Sequence, residues 1–312
     1  MQTTAPSSLL CGLRRSRLCQ LLLTVVILSA TFSAVAALPY SLGQASSYAV
    51  LGLGGINSAH GQIEVYQSAT VVNGNVGAGP YADWTHGIDA TINGRVDYDT
   101  TDSAPIVTGT VTGGLHQIPM SGPVTDARNA SVLYASLVPT LTLGGIADNA
   151  IFVGNGGLNV IRITNAITLK TTLTLQGTAS DSFVFQMTSA DAPSAKTLTL
   201  SGLAMSLTGG LTAGNVLWDL NGLGGQVVIS SGSVVQGLFL SPDRGVTVDN
   251  ASITGAVLGG GGYQDSHSNL ISVHSSSTIT MVPEPGALSL LAIGLATVCV
   301  RRSSRHQRSD KQ

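Results

Sequence analysis

Charge is scarce in this chain: Asp, Glu, Lys and Arg make up 10% of its 312 residues, against roughly 25% in an average soluble domain. Aromatic residues are scarcer still at 4%, and there are three cysteines. Cys11, Cys19 and Cys299 all lie near the ends, so residues 38–282 contain no thiol. That excludes disulfides, Cys-ligated zinc and a Cys nucleophile from the body. Positive charge is peripheral too. Six of the 14 Lys and Arg fall within 38–282 beside 14 of the 16 acidic residues, which leaves the body at a net charge of −8. An acidic body excludes a nucleic-acid binder, because neutralising phosphates needs a basic surface. What the chain does have is 43% hydrophobic residues and 38 glycines, enough apolar content to exclude disorder.

Both ends read as processing segments. Arg14, Arg15 and Arg17 precede an apolar stretch from Leu21 to Leu28 and the small residues Ala34, Val35, Ala36 and Ala37. This order over residues 1–37 predicts a signal helix cut by signal peptidase after Ala36 or Ala37. A retained anchor is the alternative, although a spanning helix needs about 20 apolar residues. Residues 281–312 carry Val282-Pro283-Glu284-Pro285, a near-continuous apolar run to Val300, and then Arg301-Arg302. Basic residues after a short hydrophobic helix hold that side in the cytoplasm, so the body lies outside. The tripartite tail resembles the PEP-CTERM sorting signal of Gram-negative bacteria, which implies an exosortase as processing partner, transient membrane anchoring through the C-terminal helix, and export to the cell surface or beyond. A Pro-rich linker before an ordinary anchor is the alternative.

Residues 38–280 consist of short apolar or alternating runs rich in Val, Ile, Leu and Thr, punctuated by Gly, Asn, Asp and Ser. That pattern predicts strands and turns. An apolar-x-Gly-x-apolar unit recurs as Val72-Asn73-Gly74-Asn75-Val76, Ile92-Asn93-Gly94-Arg95-Val96 and Val107-Thr108-Gly109-Thr110-Val111. It returns as Val235-Gln236-Gly237-Leu238-Phe239 and Ile253-Thr254-Gly255-Ala256-Val257. Spacing near one coil length predicts an all-β, irregular β-solenoid. Scarce aromatics fit a narrow interior filled by Val, Ile, Leu and Ala. An antiparallel sandwich is the alternative. One segment, 124–138, has helical spacing through Ala127, Ala130, Tyr134 and Leu137; Asp126 suits its first turn and Pro139 stops it.

The segments Leu42-Gly43-Gln44-Ala45-Ser46-Ser47-Tyr48, Asp181-Ser182-Phe183-Val184-Phe185-Gln186-Met187 and Gly214-Asn215-Val216-Leu217-Trp218-Asp219 resemble landmarks of bacterial β-helical surface proteins. Two groups share them: choice-of-anchor A proteins, which are similar to collagen-binding surface domains, and the ice-binding-like family. The resemblance implies a right-handed β-helix with one helix packed alongside.

Candidate sites are few. Asp97, Asp99 and Asp102 could supply oxygen ligands to calcium, without the Gly and Glu of an EF-hand loop; no other cofactor is expected. Glu64 is the one Glu of the body, no H-E-x-x-H or G-x-S-x-G occurs there, and no enzymatic activity is expected. Thr-x-Thr pairs, among them Thr172 with Thr174 and Thr197 with Thr199, place two hydroxyls on one side of a strand. The reading these features favour is a non-catalytic surface or extracellular-matrix protein in adhesion, biofilm or envelope structure, with exopolysaccharide as a partner. The first alternative is ice binding by a Thr-rich face, the second a polysaccharide-cleaving enzyme.

Overall fold

Alternation of inward Val, Ile and Leu with outward Thr, Ser and Asn gives each strand one face for a core and one for another environment, so these short runs need parallel neighbours above and below. The computed structural model describes residues 38–55, 61–188, 197–261 and 270–282. Every strand pair among them is parallel, and the strands stack into a three-faced β-solenoid.

The first face is covered. Tyr48–Gly52, Ser182–Gln186 and Val216–Asp219 are buried on both sides, as expected of a parallel sheet with a helix laid over it. That helix is Ser121–Ala135. It begins earlier than the spacing predicts because Pro123 is tolerated in a first turn, where its missing N–H is not needed. Asp126 therefore falls beyond the first turn and accepts the Gln44 N–H at 2.9 Å instead. At the other end the Gln186 amide donates to the carbonyls of Tyr134 at 2.6 Å and Leu137 at 3.1 Å. Ala127, Ala130 and Tyr134 pack on Val184, Leu217, Leu240 and Leu258.

The chain does not climb the stack in order. Its first strand, Tyr48–Gly52, lies between Ser252–Gly259 and Asn75–Ala78, and its last, Thr278–Thr280, lies between Ser252–Gly259 and Val71–Asn73. Residues 61–117 build coils to one side of this joint. The helix then returns the chain, and residues 141–259 build toward the joint from the other side. The core residue Ile279 thus closes the stack, and Ile279→Val is expected to cost about 0.5–1.5 kcal/mol in urea unfolding.

Glycine marks the corner between the covered face and its neighbour. A Cβ at Gly255, where φ is +148°, would stand 1.8 Å from the Gly237 carbonyl oxygen, so only glycine lets these coils stack. One spacing differs from the sequence pattern: Gly113, not Gly109, continues the column, its N–H donating to the Gly94 carbonyl at 2.8 Å. The few aromatics are also not excluded from the interior. Phe185, Trp218 and Phe239 share one register position on successive parallel strands and stack at 4.1 and 6.0 Å, while Phe152, from a neighbouring face, meets Phe185 edge-on at 5.8 Å.

Candidate functional site

Among the described residues no helix lies over the second face. Nine strands cross it, from Ala150–Val153 through Thr172–Gln176, Ala204–Thr208, Val234–Ser241, Ser252–Gly259, Thr278–Thr280, Val71–Asn73 and Thr91–Ile92 to Thr110–Val111. Register sets its outward side chains in rows. One row reads Thr172, Ala204, Val234, Ser252, Thr278, Val71, Thr91 and Thr110. A second contains Ile151, Thr174 and Ser206, then Gln236, Thr254, Thr280 and Asn73, continued by Asn93 and Thr112 at the ends of their strands.

None of these residues is charged. Neighbours in a row stand about 4.8 Å apart and the rows about 6.6 Å apart, the spacings of a parallel sheet. The Asn73 amide donates to Thr280 Oγ1 at 3.1 Å and accepts from Asn93 at 2.8 Å, which fixes that part of the second row. Ile151, Val153 and Val234 are 60%, 69% and 50% exposed, so branched methyls stand in water beside the hydroxyls. Beta-branched side chains have one or two rotamers on a strand, and the array is stiff for that reason.

Among the described residues no helix lies over the third face either, but it differs in charge. Its outward row Thr168, Thr199, Val228, Thr247 and Ser272 ends at Glu64, which accepts from Ser272 at 2.9 Å and from Thr85 at 2.6 Å. Beside it His274 and His86 flank the Tyr66 ring at 5.1 and 4.8 Å, with Asp249 3.5 Å from His274.

The four threonines read as one ligand face are not brought together. Thr172 and Thr174 lie on the second face, Thr199 on the third, and Thr197 just before that strand. The rows include residues the Thr-x-Thr pattern misses, such as Thr91, Ser252 and Thr254. The recurring glycine held that signal, since the residue before Gly74, Gly94, Gly113, Gly237 and Gly255 is in each case an outward member of the second row.

The structure does not bring the calcium candidates Asp97, Asp99 and Asp102 together as one ligand set. Among the described residues no three His, Cys, Asp or Glu are grouped to hold a metal. Asp97 accepts from the Tyr48 hydroxyl at 2.8 Å and Arg95 Nε at 2.7 Å. Asp99 accepts from Met120 N–H at 2.7 Å and from Thr101 N–H and hydroxyl at 3.0 and 2.9 Å. Burial pushes its carboxyl up, but these donors outweigh that and hold it below the usual range. Asp102 accepts the Ala82 N–H at 3.0 Å, and burial raises it to about 6. The three carboxylates serve separate partners, Asp97 the side chains of Tyr48 and Arg95, Asp99 and Asp102 the backbone of other segments. EDTA is therefore expected to leave the unfolding midpoint unchanged in a thermal melt, since only a ligand bound to the native state shifts it.

The signal residues Ala34, Ala36 and Ala37 and the tail residues Pro283, Glu284, Pro285, Arg301 and Arg302 lie outside the described residues, which end at Val282. No helix among the described residues is long and apolar enough to cross a membrane.

The ice-binding-like family model matches residues 58–263, most of the chain. The chain belongs to the ice-binding-like family. This membership overturns the adhesion and matrix reading, which rested on tail and landmark resemblance, in favour of the ice-binding alternative. That membership accords with the expectation of a non-catalytic protein. No curated protein sequence matches it. Among solved structures, it is similar to the ice-binding protein of an Arctic yeast at 20% identity and TM-score 0.53, over 80% of this chain and 95% of that one. It is also similar to the ice-binding protein of the Antarctic ascomycete Antarctomyces psychrotrophicus, at 22% identity and TM-score 0.52, over 78% and 98%. A third, from an Antarctic biological consortium, aligns at 17% identity and TM-score 0.54 over 79% and 92%. At these identities the likeness establishes the shared fold.

Proposed function

We propose that this ice-binding-like chain binds ice through its second, uncharged face. The observation that carries the reading is the pair of in-register rows on nine parallel strands without a single charge. A charge would hold its own hydration shell, whereas isolated hydroxyls and methyls in register on a stiff sheet let the first water layer adopt a lattice order. Methyl groups favour caged water around them and Thr and Asn side chains anchor that water by hydrogen bonds. Each contact is weak, and the sum over nine strands holds the protein at a growing crystal surface.

The test is ice-crystal growth and thermal hysteresis of the purified protein, with an acidic protein of matched size as control. Faceted growth and a gap between melting and growth temperatures are expected; rounded, unshaped crystals would overturn the reading.

The protein acts outside the cell in this reading. The basic, apolar and small-residue order at 1–37 and the PEP-CTERM-like tail at 281–312 support processing by signal peptidase and an exosortase in a Gram-negative host. Landmarks such as Gly214-Asn215-Val216-Leu217-Trp218-Asp219 also support a kinship with choice-of-anchor A proteins. Glu284→Ala is expected to leave the unprocessed chain in the membrane fraction, and normal processing of that variant would count against the sorting role.

A further inference from the structure

The sheet of the third face ends at the strand Ala82–Ile88. Beyond it the next coil supplies no strand, only one parallel bridge between Ile88 and Val107. The segment 101–106 stands off from the strand and is tied to it at both ends. At one end Asp102 Oδ1 accepts the Ala82 N–H at 3.0 Å and Thr101 Oγ1 accepts the Tyr81 N–H at 3.1 Å. At the other the Ile106 carbonyl accepts the Ile88 N–H at 2.7 Å. Between the ties lies a slot of about 450 Å³, lined by Asp83, Trp84 and Thr85 on one side and by Asp102, Ser103 and Ile106 on the other. Its volume is in the range of small-ligand clefts, about 300–1,000 Å³.

The lining chemistry selects a ligand class. Trp84 is half-buried against the core, and its Nε1–H has no acceptor; Asp102 Oδ2 has no donor. Both atoms are buried, and they are two of six such unmatched side-chain atoms among the described residues. A ligand hydroxyl both donates and accepts, which matches the Thr85 and Ser103 hydroxyls and the Asp83 and Asp102 carboxyls of the lining. An indole floor beside hydrogen-bonding groups suits a ring with a C–H face and polar edges. Two carboxyl side chains on a body of net charge −8 exclude phosphates and uronates.

We propose that this slot binds a neutral saccharide, with its ring against the Trp84 indole and its hydroxyls between Asp102, Asp83, Thr85 and Ser103. The site is separate from the second face and does not depend on ice binding.

Tryptophan emission reports on it, because the chain has two tryptophans and Trp218 is sealed in the core stack. The full chain is titrated with maltotriose, cellotriose and, as anionic counterpart, trigalacturonate. A saturable emission change is expected with a neutral trisaccharide, with trigalacturonate at least about tenfold weaker. Trp84→Phe removes the emission change and weakens binding by calorimetry. Ala104→Phe fills the slot from an exposed position without removing any hydrogen bond the fold uses, and is expected to abolish binding while the unfolding midpoint and ice shaping stay as in the parent. No saturable response to either neutral sugar, trigalacturonate binding best, or Ala104→Phe binding like the parent would each overturn the proposal. The ice-growth assay reads the other face, so failure of one does not imply failure of the other.

Discussion

Thr254→Tyr is expected to abolish ice shaping and to lower affinity for the crystal surface at least about tenfold, a loss of about 1.4 kcal/mol or more. Thr254 sits on the fifth of the nine strands, with Gln236 on one side and Thr280 on the other in the same row. A flat ligand touches such a surface everywhere or only at its highest point. One ring standing above the neighbouring hydroxyls therefore separates the lattice from several strands at once, and the loss exceeds that of one contact. Tyr is a favoured strand residue, so the fold itself should tolerate the change. Val228→Tyr makes the same change at the middle of the third face, in register with Thr199 and Thr247, and is expected to leave activity at the parent level. The measurement is thermal hysteresis at matched concentration, with melting curves to confirm that both variants fold. Activity lost in Val228→Tyr and kept in Thr254→Tyr would move the site to the third face.

The solenoid was legible because its information is local. Short Val-, Ile- and Thr-rich runs set the strands, and glycines spaced near one coil length set the corner where Gly237 and Gly255 touch. The helix was legible for the same reason, through Ala127, Ala130 and Tyr134. The ligand face was not, because it depends on register between strands far apart in sequence. Thr280 and Asn73 are neighbours in one row although the chain folds almost completely between them, and no Thr-x-Thr count along the sequence joins them. The same limit applied to the acids. Asp97, Asp99 and Asp102 are close in sequence and look like a ligand set, yet alternation and turn geometry send each to a different donor: the Arg95 side chain, the Met120 N–H and the Ala82 N–H.

Stability should fall as pH rises from about 4 to about 8, and Asp219→Asn should remove most of that slope. Asp219 points from the covered face toward the helix, fully buried. Ser131 on the helix donates to its Oδ1 at 2.6 Å, and the Asn221 amide donates to Ser131 at 3.1 Å. Arg244, buried nearby, donates to the carbonyls of Gly222 at 2.8 Å and Met187 at 3.2 Å. Burial raises the Asp219 carboxyl to about 8, against the downward pull of Ser131 and then Arg244. In the unfolded chain this carboxyl ionises near its ordinary value of about 3.9. Between those two values the native state holds a proton that the unfolded state has released, so unfolding becomes easier as pH rises. The contribution is fully present below the unfolded value and gone above the folded one. Each unit of separation is worth about 1.4 kcal/mol, which makes this a loss of several kcal/mol across the window. Asp102, raised to about 6, acts with the same sign over the lower part of the window, weakened by its partial exposure. Asn at position 219 keeps the acceptor for Ser131 and carries no charge at any pH. That variant should melt at nearly constant temperature from pH 5 to 8 and above the parent at pH 8. Calorimetric melts at four pH values decide it: a parent that gains stability toward pH 8, or a variant with the parent's slope, would show that Asp219 is ionised beneath the helix.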